Sequence, residues 1–94
     1  MIIWYADASL DELRIVANKH TEKVSGILVL LSGSDGDFKY VVSSNRVDLK
    51  AEIKNINAAL CGKGGGSSNM AQGSFATSLL DIEEYFGVKL FVNG

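Results

Sequence analysis

Six consecutive positions without a polar side chain, Gly26-Ile27-Leu28-Val29-Leu30-Leu31, constrain this chain more than any other feature. A strand with one wet face alternates apolar and polar residues, whereas a strand apolar at every position belongs in the middle of a sheet with both faces covered. The expected fold is therefore a single-layer sheet packed by helices. With 94 residues and 47% hydrophobic content there is material for one core, so residues 1–94 read as a single domain.

Helical periodicity appears in three places. Ser9 and Glu12 have capping-box spacing, Asp11 and Glu12 suit the positive end of a helix, and Leu10, Leu13, Val16 and Ala17 share a face, giving a first helix to about Lys23. Asp48 precedes Leu49, Ile53, Ile56 and Leu60, a second helix for which Gly62 is the expected glycine just past the end. Ser78 with Asp81 opens a third, with Leu79, Ile82 and Phe86 inward and Gly87 at its close. Met1–Tyr5, Gly26–Leu31, Phe38–Ser43, Met70–Ala76 and Val88–Val92 read as strands, with a turn at Ser32–Asp37. The order βαββαβα(β) makes an α/β domain with a mixed sheet and about three helices. Gly73 marks a bulge or a close backbone approach, and Cys61, ending an apolar helix face, is expected to be buried.

The run Gly62-Lys63-Gly64-Gly65-Gly66-Ser67-Ser68-Asn69-Met70-Ala71-Gln72-Gly73 reads as a binding loop. Glycines let backbone N–H groups approach a ligand and turn inward at φ > 0, and consecutive amides then form a concave nest that suits phosphate. It is not a P-loop, because Lys63 precedes most of the glycines, nor a dinucleotide fingerprint, because it joins a helix to a strand. A flexible connector is the structural alternative, although the glycines outnumber what a helix cap requires.

Catalytic and metal chemistry is not in view. His20 has no base or nucleophile at a spacing that would make a catalytic set, and His20 and Cys61 are too far apart to form a ligand pair. Asp11 and Glu12, which with Asp7 could resemble paired carboxylates, are explained by the helix start. No catalytic residue, cofactor or metal is assigned to this domain. The net charge is −2, yet Lys39, Arg46, Lys50, Lys54 and Lys63 stand against only Asp48 and Glu52 in one segment. Such a segment fits contact with a few phosphates, but by charge alone an ordinary solvated helix face accounts for it better. The apolar run is too short to cross a bilayer, the N-terminus lacks a signal-peptide pattern, and a lone cysteine agrees with a reducing compartment, so a cytoplasmic protein with no membrane partner is expected.

Gly62 to Gly66 and Met70-Ala71-Gln72 closely resemble the hallmark of the DHH-associated C-terminal domain of the alanyl-tRNA synthetase family, a Gly-Lys-Gly-Gly-Gly segment followed by Met-Ala-Gln. The resemblance extends through the opening strand, Leu10-Asp11-Glu12-Leu13-Arg14 and Val47-Asp48-Leu49. Synthetase versions carry Arg-Pro-Asp after the glycines, where this chain has Ser67, Ser68 and Asn69, so contacts made by that arginine do not carry over. Gln72-Gly73-Ser74-Phe75 and Asp81-Ile82-Glu83-Glu84-Tyr85-Phe86 look more like the tail of long AlaX-type alanyl-tRNA editing proteins.

This resemblance implies a fragment of a longer editing protein or synthetase. The parent would hydrolyse mischarged alanine tRNA, with zinc held in a separate editing domain, and this piece would serve as a tRNA-binding accessory module. The implied RNA or phosphate contacts are Lys63, Gly64, Gly65, Gly66, Ser67, Asn69, Gln72 and Arg46, and the implied partner is tRNA, alanine tRNA first. Two alternatives stay open. One is an oligomerisation module, a homodimer pairing along a sheet edge formed by Met1–Tyr5 or Leu90–Val92 with Trp4, Tyr5 and Phe91 as anchors. The other is the substrate domain of a DHH-type phosphoesterase, which would want a histidine beside the glycines, where this sequence has none.

Overall fold

The buried run of the sequence becomes the centre of the molecule. The structure is a computed structural model that describes residues 2–5, 8–21, 26–45, 47–87 and 90–92. Its elements are β1 (Ile2–Tyr5), α1 (Leu10–His20), β2 (Leu28–Ser34), β3 (Asp37–Ser43), α2 (Leu49–Ala59), β4 (Gly62–Gly66), β5 (Met70–Phe75), α3 (Leu79–Phe86) and β6 (Leu90–Val92). They form one six-stranded sheet in the order β4-β5-β3-β2-β1-β6. β1 runs parallel to β2 and β6, while the β2–β3, β3–β5 and β4–β5 pairs are antiparallel, so the sheet is mixed as expected.

Alternation along the strands sorts the core into two layers. Val29, Leu31, Phe38, Tyr40, Val42, Ala71 and Phe75 point to one face, under α2 and α3 through Leu49, Ile53, Ile56, Leu60 and Ile82. Leu28, Leu30 and Val41 point to the other, under Leu13 and Ala17 of α1. Full burial of a leucine or valine stabilises by about 1.5–3 kcal/mol, and β2 has such residues on both faces, which is why it carries no polar residue before Ser32.

The caps form where the sequence places them. Ser9 Oγ accepts from the Glu12 N–H at 3.3 Å, Asp48 Oδ1 from the Lys50 N–H at 3.0 Å, and Ser78 Oγ from the Asp81 N–H at 3.2 Å. Gly87 closes α3 in the left-handed region at φ 72°. The first helix is shorter than expected: it ends at His20, where the Thr21 hydroxyl turns back to the Ala17 carbonyl and meets Ser43 Oγ at 2.8 Å. Residues 22–25, within or just past the expected helix end, lie outside the described residues.

Three further expectations are corrected. β1 is not an edge, because β2 and β6 flank it; β6 and β4 are the two edges. Cys61 is exposed, not buried, and it rather than Gly62 takes the left-handed conformation past α2, at φ 52°. Glycine is needed one position later for a different reason: a Cβ at Gly62 would lie 2.5 Å from Asn57 Oδ1 and 2.8 Å from the Phe75 ring. Third, Gly62–Gly66 is a strand and not a loop.

Candidate functional site

The glycine run and the Met-Ala-Gln segment are the two arms of one β-hairpin. Gly62 pairs with Phe75, Lys63 with Ser74, Gly64 with Gly73, Gly65 with Gln72 and Gly66 with Ala71. Of residues 62–66 only Gly64 has a positive φ, 148°, so the amides do not curl into a nest. The Ala76 N–H donates to the Cys61 carbonyl at 3.2 Å and the Ser67 N–H to the Met70 carbonyl at 2.9 Å. Antiparallel alternation between these two pairs turns the Lys63 and Gly65 amides inward to β5 and those of Gly62, Gly64 and Gly66 outward along the sheet edge.

Packing explains most of these glycines. A Cβ at Gly64 would press into the Gln72 carbonyl oxygen and lie 2.7 Å from Gly73 Cα, and one at Gly73 would press into the Lys63 carbonyl and lie 2.8 Å from Gly64 Cα. The Gly64–Gly73 pair is thus the close backbone approach expected of Gly73, with no bulge in the β3–β5 register. Gly66 is confined in the same way by the Met70 carbonyl. Gly65 differs: an added Cβ meets no atom within 4 Å.

Val41, beneath α1, pairs with Gln72, which pairs with Gly65; Lys39 pairs with Ser74, which pairs with Lys63. Lys39, Lys63, Gly65, Gln72 and Ser74 therefore share the α1 side of the sheet. α1 packs on β2 and β3, and beyond it Lys39, Lys63, Gly65 and Gln72 stay exposed. Between α1 and the hairpin lies a shallow, open depression of about 300 Å³ lined by Arg14, Gly65, Gly66, Ser67, Met70 and Gln72. Arg14 Nη1 stands 4.0 Å from Asp11 Oδ1, a loose exposed pair of little energetic weight.

The other expected residues have different places. Ser67 shapes the turn, its Oγ accepting from the Asn69 and Met70 N–H groups at 3.3 and 3.2 Å. Asn69 Oδ1 accepts from the Ser68 hydroxyl at 2.9 Å, and the Asn69 and Ser68 carbonyls accept from the Ser44 and Leu49 N–H groups, both at 2.9 Å. The turn is thereby fastened to the start of α2. Arg46 lies outside the described residues. The basic segment is divided: Lys39 and Lys63 are on the α1 side, whereas Lys50 and Lys54 are on α2, which packs on the opposite face. Arg14 and Lys39 join the site only through the fold. Sequence alternation with Phe38 and Tyr40 signals Lys39, but nothing in the sequence says which sheet edge Arg14 overlooks.

Behind the hairpin a polar chain holds the edge strand. The Tyr40 hydroxyl donates to Asn57 Oδ1 at 3.0 Å, and Asn57 Nδ2 donates to the Gly64 carbonyl at 3.3 Å. Burial pushes the Tyr40 phenol above the usual tyrosine range, against a smaller lowering by the Asn57 bond. The Tyr40 ring stacks on Phe75 with centroids 4.1 Å apart. Among the described residues there is no group of three His, Cys, Asp or Glu side chains that could hold a metal, and no helix long and apolar enough to cross a membrane.

The family model described as the DHHA1 domain matches residues 1–85. Among solved structures, the C-Ala domain from Aquifex aeolicus alanyl-tRNA synthetase is similar, with a TM-score of 0.65 and 21% identity over 80% of this chain and 76% of that one. That level of identity is a likeness of fold. No curated protein matches the chain.

Proposed function

Because the chain belongs to the DHHA1 domain family, we propose that it is a tRNA-binding accessory domain of a cytoplasmic alanyl-tRNA synthetase-related protein whose parent hydrolyses mischarged alanine tRNA. The RNA meets the α1 side of the β4–β5 hairpin, where Lys63 and Lys39 take phosphates and Gln72 supplies a neutral hydrogen bond. One observation carries this reading: Gly65 is bare of side chain where nothing in the fold requires it, the arrangement that lets a ligand reach the backbone. Gly64, Gly66, Ser67 and Asn69 keep the hairpin in shape, and Arg46 is a further cation of this reading. Folded RNA is recognised by shape, backbone and unpaired bases, so few cations suffice.

The test is a titration with alanine tRNA and an unrelated tRNA at two salt concentrations. A log–log salt slope of about −2 to −4 is expected, reduced by about 1 in Lys63→Ala. Absence of saturable binding at high micromolar protein overturns the reading. It would favour the alternative of a homodimer joined along β6, an edge of the sheet, which sedimentation at two concentrations detects.

A further inference from the structure

We propose that the depression between α1 and the β4–β5 hairpin seats a single unpaired nucleobase, with Arg14 stacking on its face and Gln72 hydrogen-bonding its edge. This rests on the RNA-binding reading and deepens it, by naming a base edge as the target of the Gln72 hydrogen bond and giving Arg14 a part in the site. The depression, about 300 Å³ and open to solvent, is at the lower end of small-molecule sites, a size for one ring system rather than a base pair.

Its lining has the chemistry of a base site more than of a phosphate site. Met70, half-buried, gives a soft apolar floor of the kind that adapts to a π-face. Arg14, its side chain 52% exposed, brings a planar guanidinium from α1 that is tied only loosely to Asp11, whose side chain is 91% exposed. Guanidinium planes stack on bases, which an ammonium cannot do. Gln72 is exposed and, among the described residues, makes no side-chain hydrogen bond within the protein. Its amide is both donor and acceptor, the pairing a base edge presents; a phosphate offers only acceptors. Gly65, paired with Gln72, forms a wall without a side chain, so a ring can lie against the backbone.

The cations stand where the flanking backbone would run. Lys39 and Lys63 occupy the next row of the sheet on either side of Ser74, two strand spacings or about 10 Å apart at the backbone. They can hold the phosphates flanking one splayed nucleotide. A stacked duplex offers no such base, so the target is a loop or a single-stranded end.

The test uses fluorescently labelled A, C, G and U octamers, an abasic octamer and an RNA duplex of the same length, together with whole tRNA. Wild type should prefer single strands over duplex, bind the abasic strand at least about fivefold more weakly, and rank the four bases over a range of about tenfold. Gln72→Ala should remove the ranking without changing the salt slope. Arg14→Lys, which keeps the charge and loses the plane, should weaken the octamers but not the abasic strand. Both residues are exposed, and circular dichroism checks their folds.

If Gln72→Ala preserves the ranking, or abasic and duplex RNA bind as tightly as the octamers, the base seat is wrong while the RNA-binding reading survives. Binding of tRNA with no binding of octamers also removes the seat. If no RNA binds at all, both fall together.

Discussion

Two glycines of the same hairpin should respond to alanine with opposite signs. In Gly73→Ala the new Cβ would be driven into the Lys63 carbonyl oxygen and lie 2.8 Å from Gly64 Cα and 2.9 Å from the Lys63 carbonyl carbon. All three atoms are backbone, so no side chain can rotate away, and the distances are well inside the ~3.5–4.0 Å optimum for carbon contacts. Relief requires β4 and β5 to move apart, against the Tyr40–Asn57–Gly64 hydrogen bonds that fix β4 from behind. Overpacking of this kind costs about 1–3 kcal/mol, offset by about 0.4–1 kcal/mol from the lower entropy of the unfolded alanine chain.

A net loss of about 1–2 kcal/mol follows, or roughly 5–15 °C in Tm for a domain of this size. In Gly65→Ala the Cβ meets nothing within 4 Å and the residue has no positive φ, so only the unfolded-state term remains. Stability should hold or rise by up to about 1 kcal/mol. Urea denaturation of both variants, followed by circular dichroism, reads the difference directly. Gly73→Ala within ~0.5 kcal/mol of wild type, or Gly65→Ala costing more than ~1 kcal/mol, would refute the register and the claim that these glycines have different roles.

Other consequences can be measured alongside. The folded-state phenol of Tyr40 is raised above its unfolded value, so its contribution is fully present below pH ~10 and is lost as pH rises past that point. Tyr40→Phe should flatten this alkaline fall in chemical denaturation curves and cost about 1 kcal/mol at neutral pH through the unpaired Asn57 oxygen; an unchanged alkaline slope would exclude Tyr40 as its source. Asn57→Ala should speed hydrogen exchange across β4 and cost about 1–3 kcal/mol, because the Gly64 carbonyl and the Tyr40 hydroxyl both lose their partner. Cys61 should react with a thiol reagent in the folded protein, and Cys61→Gly should gain about 0.5–1 kcal/mol in the same denaturation assay by relieving its φ of 52°.

Local rules carried the helices. Ser9, Asp48 and Ser78 each cap through bonds to residues two or three positions on, and the apolar spacing of Leu49, Ile53 and Ile56 needs only the helical repeat to define a buried face. The apolar part of β2, to Leu31, is equally legible, because a segment apolar on both sides has no stable place outside a covered sheet; Ser32–Ser34, expected in the turn, instead lengthen the strand by pairing with Asp37–Lys39. The β4–β5 hairpin is not legible in this way. Glycine has no β-propensity to declare a strand, and what holds Gly62–Gly66 extended is pairing with β5 and the hydrogen bond from Asn57, both made by residues distant in sequence.

Cys61 departs from its expected place for a related reason: the need for a bare Cβ at position 62 comes from the Phe75 ring and Asn57, so the glycine stands there and the left-handed turn falls on cysteine. Residue order and local spacing are enough for the three helices, the buried central strand and the α/β class. Long-range packing sets the rest: β1 lies inside the sheet, Lys39 and Lys63 share a row while Lys50 and Lys54 lie beyond the opposite face, and Arg14 overlooks Gly65 and Gln72. Periodicity fixes which side of its own element a residue faces; which elements become neighbours depends on how their apolar faces are buried together.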